Sequence, residues 1–178
     1  MDIPGKIAGC PKNGAGRIRK AETGDGKSLH EIAQLAFAPY LERMDRPPAP
    51  MLADYGELIA KGDAWILELD GRIAAFAILK DEEDGWLLLD IVAVNPAFQK
   101  RGLGRQLVNF AMETAKDRCQ KGARLYTNAA MIENLEWYPK LGFREIGRKR
   151  ENGYDRVWFE QEIGDQAHRP AGRLPETN

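Results

Sequence analysis

Cysteine and histidine are nearly missing from this chain: it has two of each in 178 residues, Cys10 with Cys119 and His30 with His168. They stand far apart, with none of the close paired spacings of zinc ligands, so neither a structural metal nor a disulfide framework is expected. A reducing, cytoplasmic compartment follows as the expectation. No apolar run approaches the roughly 20 residues of a membrane-spanning helix, and Met1–Lys6 lacks the apolar stretch of a secretory signal. A surplus of either charge is missing too. The formal net charge of −1 gives no global pull toward nucleic acid or an anionic membrane. The Walker pattern Gly-x-x-x-x-Gly-Lys-Ser/Thr, the dinucleotide pattern Gly-x-Gly-x-x-Gly and internal repeats are all absent.

What is present is the profile of one globular domain, 43% hydrophobic and 30% charged, long enough to bury a core. Residues 1–15 carry glycine and proline without periodicity and read as a flexible N-terminal arm. Residues 16–163 form the domain, and 164–178 read as a disordered tail. Arg17–Ala21 suits a first strand. A helix capped by Asp25 or Ser28 follows, with Leu29, Ile32, Ala33, Leu35, Ala36 and Phe37 at helical spacing and Pro39 ending it. Asp45–Pro50 is a stiff, proline-rich connector, and a second helix is expected over Met51–Ala60, stopping at Gly62. Ala64–Leu69 and Arg72–Leu79 flank Asp70-Gly71, the turn chemistry of a tight hairpin. Asp81–Gly85 reads as an acidic, solvated turn and Arg148–Arg150 as a solvated basic face. Trp86–Val94 is apolar except for Asp90 and suits a strand buried on both faces. A helix over 102–119, a strand over 123–127, a short helix near 132–137 and strands near 143–150 and 154–163 complete a β-α-α-β-β-β-α-β-α-β-β order. Such an order makes an α/β (α+β) mixed sheet flanked by helices.

The segment with the most chemistry is Gln99-Lys100-Arg101-Gly102-Leu103-Gly104-Arg105, between a buried strand and a long amphipathic helix. Glycines there let the backbone turn and approach a ligand. The first turn of the helix offers unpaired N–H groups and a partial positive charge, a natural seat for phosphate. Lys100, Arg101 and Arg105 add formal charge at the same place. The full string, Gln-x-x-Gly-x-Gly after a strand ending Val-x-Pro, resembles the phosphate-binding motif of the GNAT superfamily of acyl-CoA-dependent N-acyltransferases. Tyr138-Pro139-Lys140-Leu141-Gly142-Phe143 is similar to the family's Tyr-x-x-x-Gly-Phe signature, and Tyr154–Phe159 to its closing strand.

That resemblance implies a central mixed sheet of roughly six to seven strands with about four helices, and acetyl-CoA as co-substrate with no metal. It implies that strand 87–94 bulges and splays from strand 123–127. The pantetheine arm would then lie along Val92, Ala93 and Val94, and the backbone of Gln99–Arg105 would cradle the pyrophosphate. Tyr138 matches the tyrosine that protonates the departing thiolate in many members. A phenol stays protonated at neutral pH and can donate. Pro139 is expected to end the short helix close to Tyr138, leaving the hydroxyl beside the cleft. Many members carry asparagine where this chain has Met131, so Asn128 and Asn134 become the candidates for that contact. Asn134 sits one turn before Tyr138.

Asp90 is the lone acid in an apolar strand, costly unless partnered. Its position resembles one where some members carry a glutamate base, so it is a candidate for amine deprotonation, against the alternative of a paired structural carboxylate. It is expected to share a face with Leu88 and Val92 until a bulge shifts the register. Neither histidine is assigned a role. Tyr40, Arg43, Arg46 and Tyr55 fall where the family builds its acceptor pocket, and Arg46 could hold an acceptor carboxylate. The reading is an N-acetyltransferase for a small-molecule amine. The alternatives are a protein or peptide N-acetyltransferase and a non-catalytic acyl-CoA sensor. Nucleic acid and membrane are not expected as partners, and a homodimer is compatible.

Overall fold

Alternating apolar segments become one seven-stranded sheet in the order β1-β2-β3-β4-β5-β7-β6. The computed structural model describes residues 16–164. The expected N-terminal arm over 1–15, the tail beyond Gly164, Cys10 and His168 lie outside the described residues. The strands are β1 (Arg17–Lys20), β2 (Ala64–Leu69), β3 (Arg72–Asp81), β4 (Leu87–Val94), β5 (Gly122–Asn128), β6 (Arg144–Glu151) and β7 (Tyr154–Glu162). All neighbours run antiparallel except β4 and β5, which are parallel. The helices are α1 (Gly26–Phe37), α2 (Tyr55–Ala60), α3 (Leu103–Asp117) and α4 (Ile132–Lys140). The β2–β3 hairpin turns on Asp70 and Gly71, at φ 52° and 71°, as the Asp-Gly pair requires.

Each face of the sheet carries its own core. Leu29, Ile32, Ala33 and Phe37 of α1 pack with Tyr55 and Ile59 of α2 against Ile66, Phe76 and Ile78. On the opposite face Leu103, Leu107, Val108 and Ala111 of α3 pack with Tyr138 of α4 against Leu67, Leu87, Leu89 and Leu125. Among the described residues no helix is long and apolar enough to cross a membrane.

Several sequence expectations are corrected. Strand β4 is buried on both faces, but each for only part of its length: Leu87 and Leu89 on the α3 side and Ile91 and Ala93 on the α1–α2 side, while Leu88, Asp90, Val92 and Val94 are half-buried. The expected helix Met51–Ala60 is a short 3-10 turn, Ala49–Leu52, followed by α2. Asp54 resets the helix start by accepting the Glu57 N–H at 3.0 Å. Helix α1 is entered through a turn over Thr23–Asp25 with a reciprocal Glu22–Asp25 capping box, so Ser28 lies inside it. Leu35 stays 54% exposed on its outer side. Pro139 does not end α4. It sits in the last turn, where only one backbone donor is lost, and the helix runs to Lys140. The acidic turn is not simply solvated: Arg124 reaches Glu82 at 3.1 Å and Asp84 at 3.0 Å, and Arg118 reaches Asp81 at 2.6 Å. In the basic face Arg148, Lys149 and Arg150 are exposed but paired with Glu145, Glu151 and Asp155.

Candidate active site

The turn into α3 is built by local chemistry. Asn95 caps the Pro96–Phe98 turn by accepting the Ala97 N–H at 3.0 Å. Lys100 at φ 63° and Gly102 at φ 76° then reverse the chain. The first intrahelical donor of α3 is the Gln106 N–H, bonded to the Gly102 carbonyl at 3.1 Å. The N–H groups of Leu103, Gly104 and Arg105 therefore have no acceptor within the helix, and Gly102 has no side chain to cap them. They line a cavity of about 300 Å³ with Val94, Gln99, Lys100, Gly102 and Trp137. No carboxylate lines it, and Arg101 lies over the Phe98 ring at 5.5 Å. Leu103 turns its side chain into the core and offers only its backbone. A Cβ on Gly104 would come 3.2 Å from Cη2 of Trp137, so this glycine also seats that ring. Donors, helix polarity and glycines together suit a pyrophosphate.

One strand turn away, β4 and β5 part. They pair through Leu87↔Ala123, Leu88↔Arg124 and Leu89↔Leu125 and no further, although β4 runs on to Val94 and β5 to Asn128. The cause is a bulge. Against β3, Leu89 pairs with Leu79 and Ile91 with Ile78, which leaves Asp90 as the extra residue. The bulge exchanges the faces of β4. Leu87 and Leu89 belong to the α3 core, Ile91 and Ala93 to the α1–α2 core, and Val92 and Val94 again pack on the α3 side. Asp90 shares its face with Leu88, and the expected bulge, which falls at Asp90 itself, puts Val92 on the other face.

The gap leads into a narrow cavity of about 60 Å³, room for a small head group and little more. Its walls are Leu89–Val92, Tyr126–Asn128, Met131, Asn134, Tyr138, Tyr154 and Arg156, and its roof is Met44 and Pro48–Pro50. Tyr138 is 7% exposed and packs on Phe159 at 5.8 Å and Phe143 at 6.1 Å. The expectation of a tyrosine beside the cleft instead of on a packed face is half right: the ring is core, yet it also lines the cavity. Burial pushes its phenol well above the usual value, with a smaller contribution from Tyr40, so it stays a proton donor across the neutral range. Asn134 donates to Thr127 Oγ1 at 3.1 Å and joins α4 to β5 at the gap. Asn128 is spent on the Ala130 N–H at 2.9 Å, and Met131 is buried.

Asp90 is not alone. Lys80 Nζ lies 2.5 Å from its Oδ2, and the Tyr126 hydroxyl donates to its Oδ1. Sequence reasoning missed both partners. Nothing in the neighbouring sequence singles out Lys80 or Tyr126; only the β3–β4 and β4–β5 pairings bring them to Asp90. Arg156 lies 3.9 Å from the Tyr126 ring centroid.

The connector is strapped over the cavity. Arg43 joins Glu133 of α4 at 2.7 Å, Tyr154 donates to the Pro47 carbonyl at 2.7 Å, and Tyr55 to the Pro50 carbonyl at 2.7 Å. Arg46 stacks on Tyr154 at 5.4 Å and donates to the Asn152 carbonyl at 3.3 Å, so it fastens the strap instead of presenting a free cation. Gly153, at φ 80°, leaves the space that the Arg46 guanidinium fills. Tyr40 packs on the α1–α2 core, and His30 lies at the surface beside Gln34. Among the described residues no three His, Cys, Asp or Glu side chains converge as metal ligands would.

Comparison with known proteins places this geometry. Residues 60–145 match the model of the acetyltransferase (GNAT) domain. The chain is 30% identical to the ribosomal-protein-bS18-alanine N-acetyltransferase of Escherichia coli K12 over 134 residues, 75% of this chain and 84% of that enzyme. A crystal structure of the E. coli enzyme superposes with a TM-score of 0.64 at 25% identity, covering 83% of this chain and 93% of that one. The enzyme of the same name from Salmonella typhimurium is 37% identical over 84 residues, 47% of this chain and only 56% of that enzyme's length. The PaiA N-acetyltransferase of Thermoplasma acidophilum, solved in complex with coenzyme A, superposes with a TM-score of 0.68 at 19% identity, over 83% of this chain and 98% of that one.

Proposed function

Because this chain belongs to the GNAT acetyltransferase family, we propose that it transfers an acetyl group from acetyl-CoA to the N-terminal amine of a protein or peptide, with residues 16–163 as the acetyltransferase domain. The observation that carries the choice of acceptor is the 30% identity, over three-quarters of this chain, to an enzyme named as an alanine N-acetyltransferase of a ribosomal protein; alanine has no side-chain amine, so its acetylatable nitrogen is that of a chain's N-terminus. The small-molecule amine first expected from the sequence becomes the second reading. The narrow, strapped cavity is what favours it.

In this reading the free N–H groups of Leu103, Gly104 and Arg105 hold the pyrophosphate, with Gln99, Lys100, Arg101 and Gly102 shaping the turn and its charge. The β5-facing backbone of Val92, Ala93 and Val94 accompanies the pantetheine arm through the gap. Acetyl-CoA supplies an activated acyl group, and the chain supplies position and protons. Tyr138 stays protonated and gives its proton to the leaving sulfur, and Asn134 fixes the wall beside it. Asp90 is the basic end of the proton path away from the amine. The two distant cysteines favour a reducing, cytoplasmic setting.

The test is thiol release from acetyl-CoA with N-terminal alanyl peptides beside a panel of small amines, followed by mass analysis of the product. Acetylation at the peptide's α-amino group is expected. Turnover of small amines with none of any peptide would overturn the main reading in favour of the second.

A further inference from the structure

The Asp90–Tyr126 pair stands in a partition. On one side is the narrow cavity that holds Tyr138. On the other is a second cavity of about 290 Å³, reached between α2 and β4 and lined by Asp54, Glu57, Lys61 and Lys80. Ala49, Pro50, Asp90, Ile91 and Tyr126 line both. Alternation from Leu87 and Leu89 directs Asp90 to the α2 side, and the bulge keeps Ile91 on that side with it.

We propose, resting on the reading of an amine acetyltransferase, that Tyr126 and Asp90 form a two-residue relay that carries the acceptor's proton from the reacting cavity into the second cavity and so to solvent. A phenol has one hydrogen and two lone pairs. Tyr126 commits its hydrogen to Asp90 Oδ1, so what it offers the reacting cavity is a lone pair that accepts from an incoming N–H. As the N–C bond forms and the C–S bond breaks, the nitrogen's proton passes to the Tyr126 oxygen. In the same motion the Tyr126 proton passes to Asp90, and Tyr138 protonates the sulfur. The amide and free thiol are left with a protonated Asp90 and an ionised Tyr138. Asp90 then sheds its proton through the second cavity, and Tyr138 regains one from water.

The surroundings fit that task. Lys80 holds Oδ2 and fixes the carboxylate with Oδ1 toward the phenol, which makes it a positioning residue. Arg156 of β7 covers the Tyr126 ring, while Glu82, Tyr55 and Glu151 are the other ionisable groups that sense this pair. Burial and the Asp90 charge keep the Tyr126 phenol protonated, so it acts by passing a proton through and not as a free phenolate. The second cavity carries the Lys61–Glu57 pair at 2.6 Å and Asp54, a charged lining exposed to solvent.

The experiment compares Tyr126→Phe, Asp90→Asn and the double variant with wild type, reading kcat and both KM values with a peptide and with a small amine. Phenylalanine keeps the ring between Arg156 and Trp158, and asparagine keeps the shape of Asp90. Each single change is expected to lower kcat about 10²-fold, with the double variant no worse than about threefold below the poorer single, as for groups acting in series. The KM for acetyl-CoA is expected to hold, and the loss to be the same for both acceptors. A Tyr126→Phe enzyme within about twofold of wild type, or losses that multiply in the double variant, would overturn the relay. If wild type turns over small amines alone, the protein-acceptor reading fails while the relay is still read on those amines.

Discussion

At the scale of single residues, two positions combine a packing role with a proposed chemical one, and substitutions separate the two. Tyr138 packs its ring on Phe143 and Phe159 while lining the reacting cavity. Tyr138→Phe keeps the packing and removes the donor, so kcat is expected to fall about 10²-fold while calorimetric affinity for coenzyme A holds. Unchanged turnover with the true acceptor would leave Tyr138 as a core residue only. Gly104 is the second case. The cavity at the α3 N-terminus calls for a bare backbone, and Trp137 stands 3.2 Å from where a Cβ would be. Gly104→Val is therefore expected to cost about 1–3 kcal/mol of stability as well as coenzyme A affinity. Adding Trp137→Leu relieves the crowding, so urea unfolding should recover while calorimetry still finds weak binding. Recovery of both would show that Gly104 serves packing alone. Gly104 and Tyr138 were legible in the sequence because their chemistry is local, a turn before a helix and a phenol in a motif. Tyr126, Lys80 and Trp137 were not, since each acts through a neighbour far along the chain.

At the scale of elements, the proposed acceptor side is a strap of chain held by contacts instead of a preformed wall. Pro47, Pro48 and Pro50 stiffen the connector, and the β6–β7 turn fastens it through Tyr154 and Arg46. Gly153→Ala places a Cβ at φ 80° and into the Arg46 guanidinium. Left-handed backbone at a non-glycine residue costs about 1–3 kcal/mol, which here loosens the strap. The expected outcome is a raised KM for the acceptor with little change in the KM for acetyl-CoA, whose proposed site at the α3 N-terminus is a separate cavity. Equal change in both constants would mean that the strap also shapes the cofactor gap. The β4 bulge is the other device at this scale. It lies where β4 parts from β5 and leaves Asp90 and Ile91 on one side of the sheet, so one inserted residue serves both the gap and the proposed relay.

At the scale of the whole molecule, two buried phenols and a half-buried one couple the fold to alkaline pH. Burial is the leading cause that raises Tyr55, Tyr126 and Tyr138, and the Asp90 charge adds to the first two. Their folded values lie above the unfolded value of about 10. Their contribution to stability is therefore complete below about pH 10 and is lost as pH rises toward the folded values. Urea unfolding is expected to give a flat stability between about pH 8 and 9 and a decline above about pH 10, approaching about 1.4 kcal/mol per pH unit for each phenol still protonated in the folded state. Tyr138→Phe removes one of the three, so its decline should be shallower. A wild-type decline no steeper than that of the variant would mean that the Tyr138 phenol ionises alike in both states.

By itself the sequence determined the order of elements, the Asp70-Gly71 hairpin, the turn at Gly102–Gly104 and the singularity of Asp90. Each is written in adjacent residues, where φ preferences, capping and periodicity act within a few positions. The tertiary structure decided which carboxylate oxygen meets which donor, where β4 leaves β5, how far α4 runs past Pro139 and which side of the sheet Ile91 and the residues after it face. A strand's side chains change face with one extra residue, and nothing local to Leu89-Asp90-Ile91 records that shift until β3 supplies the register.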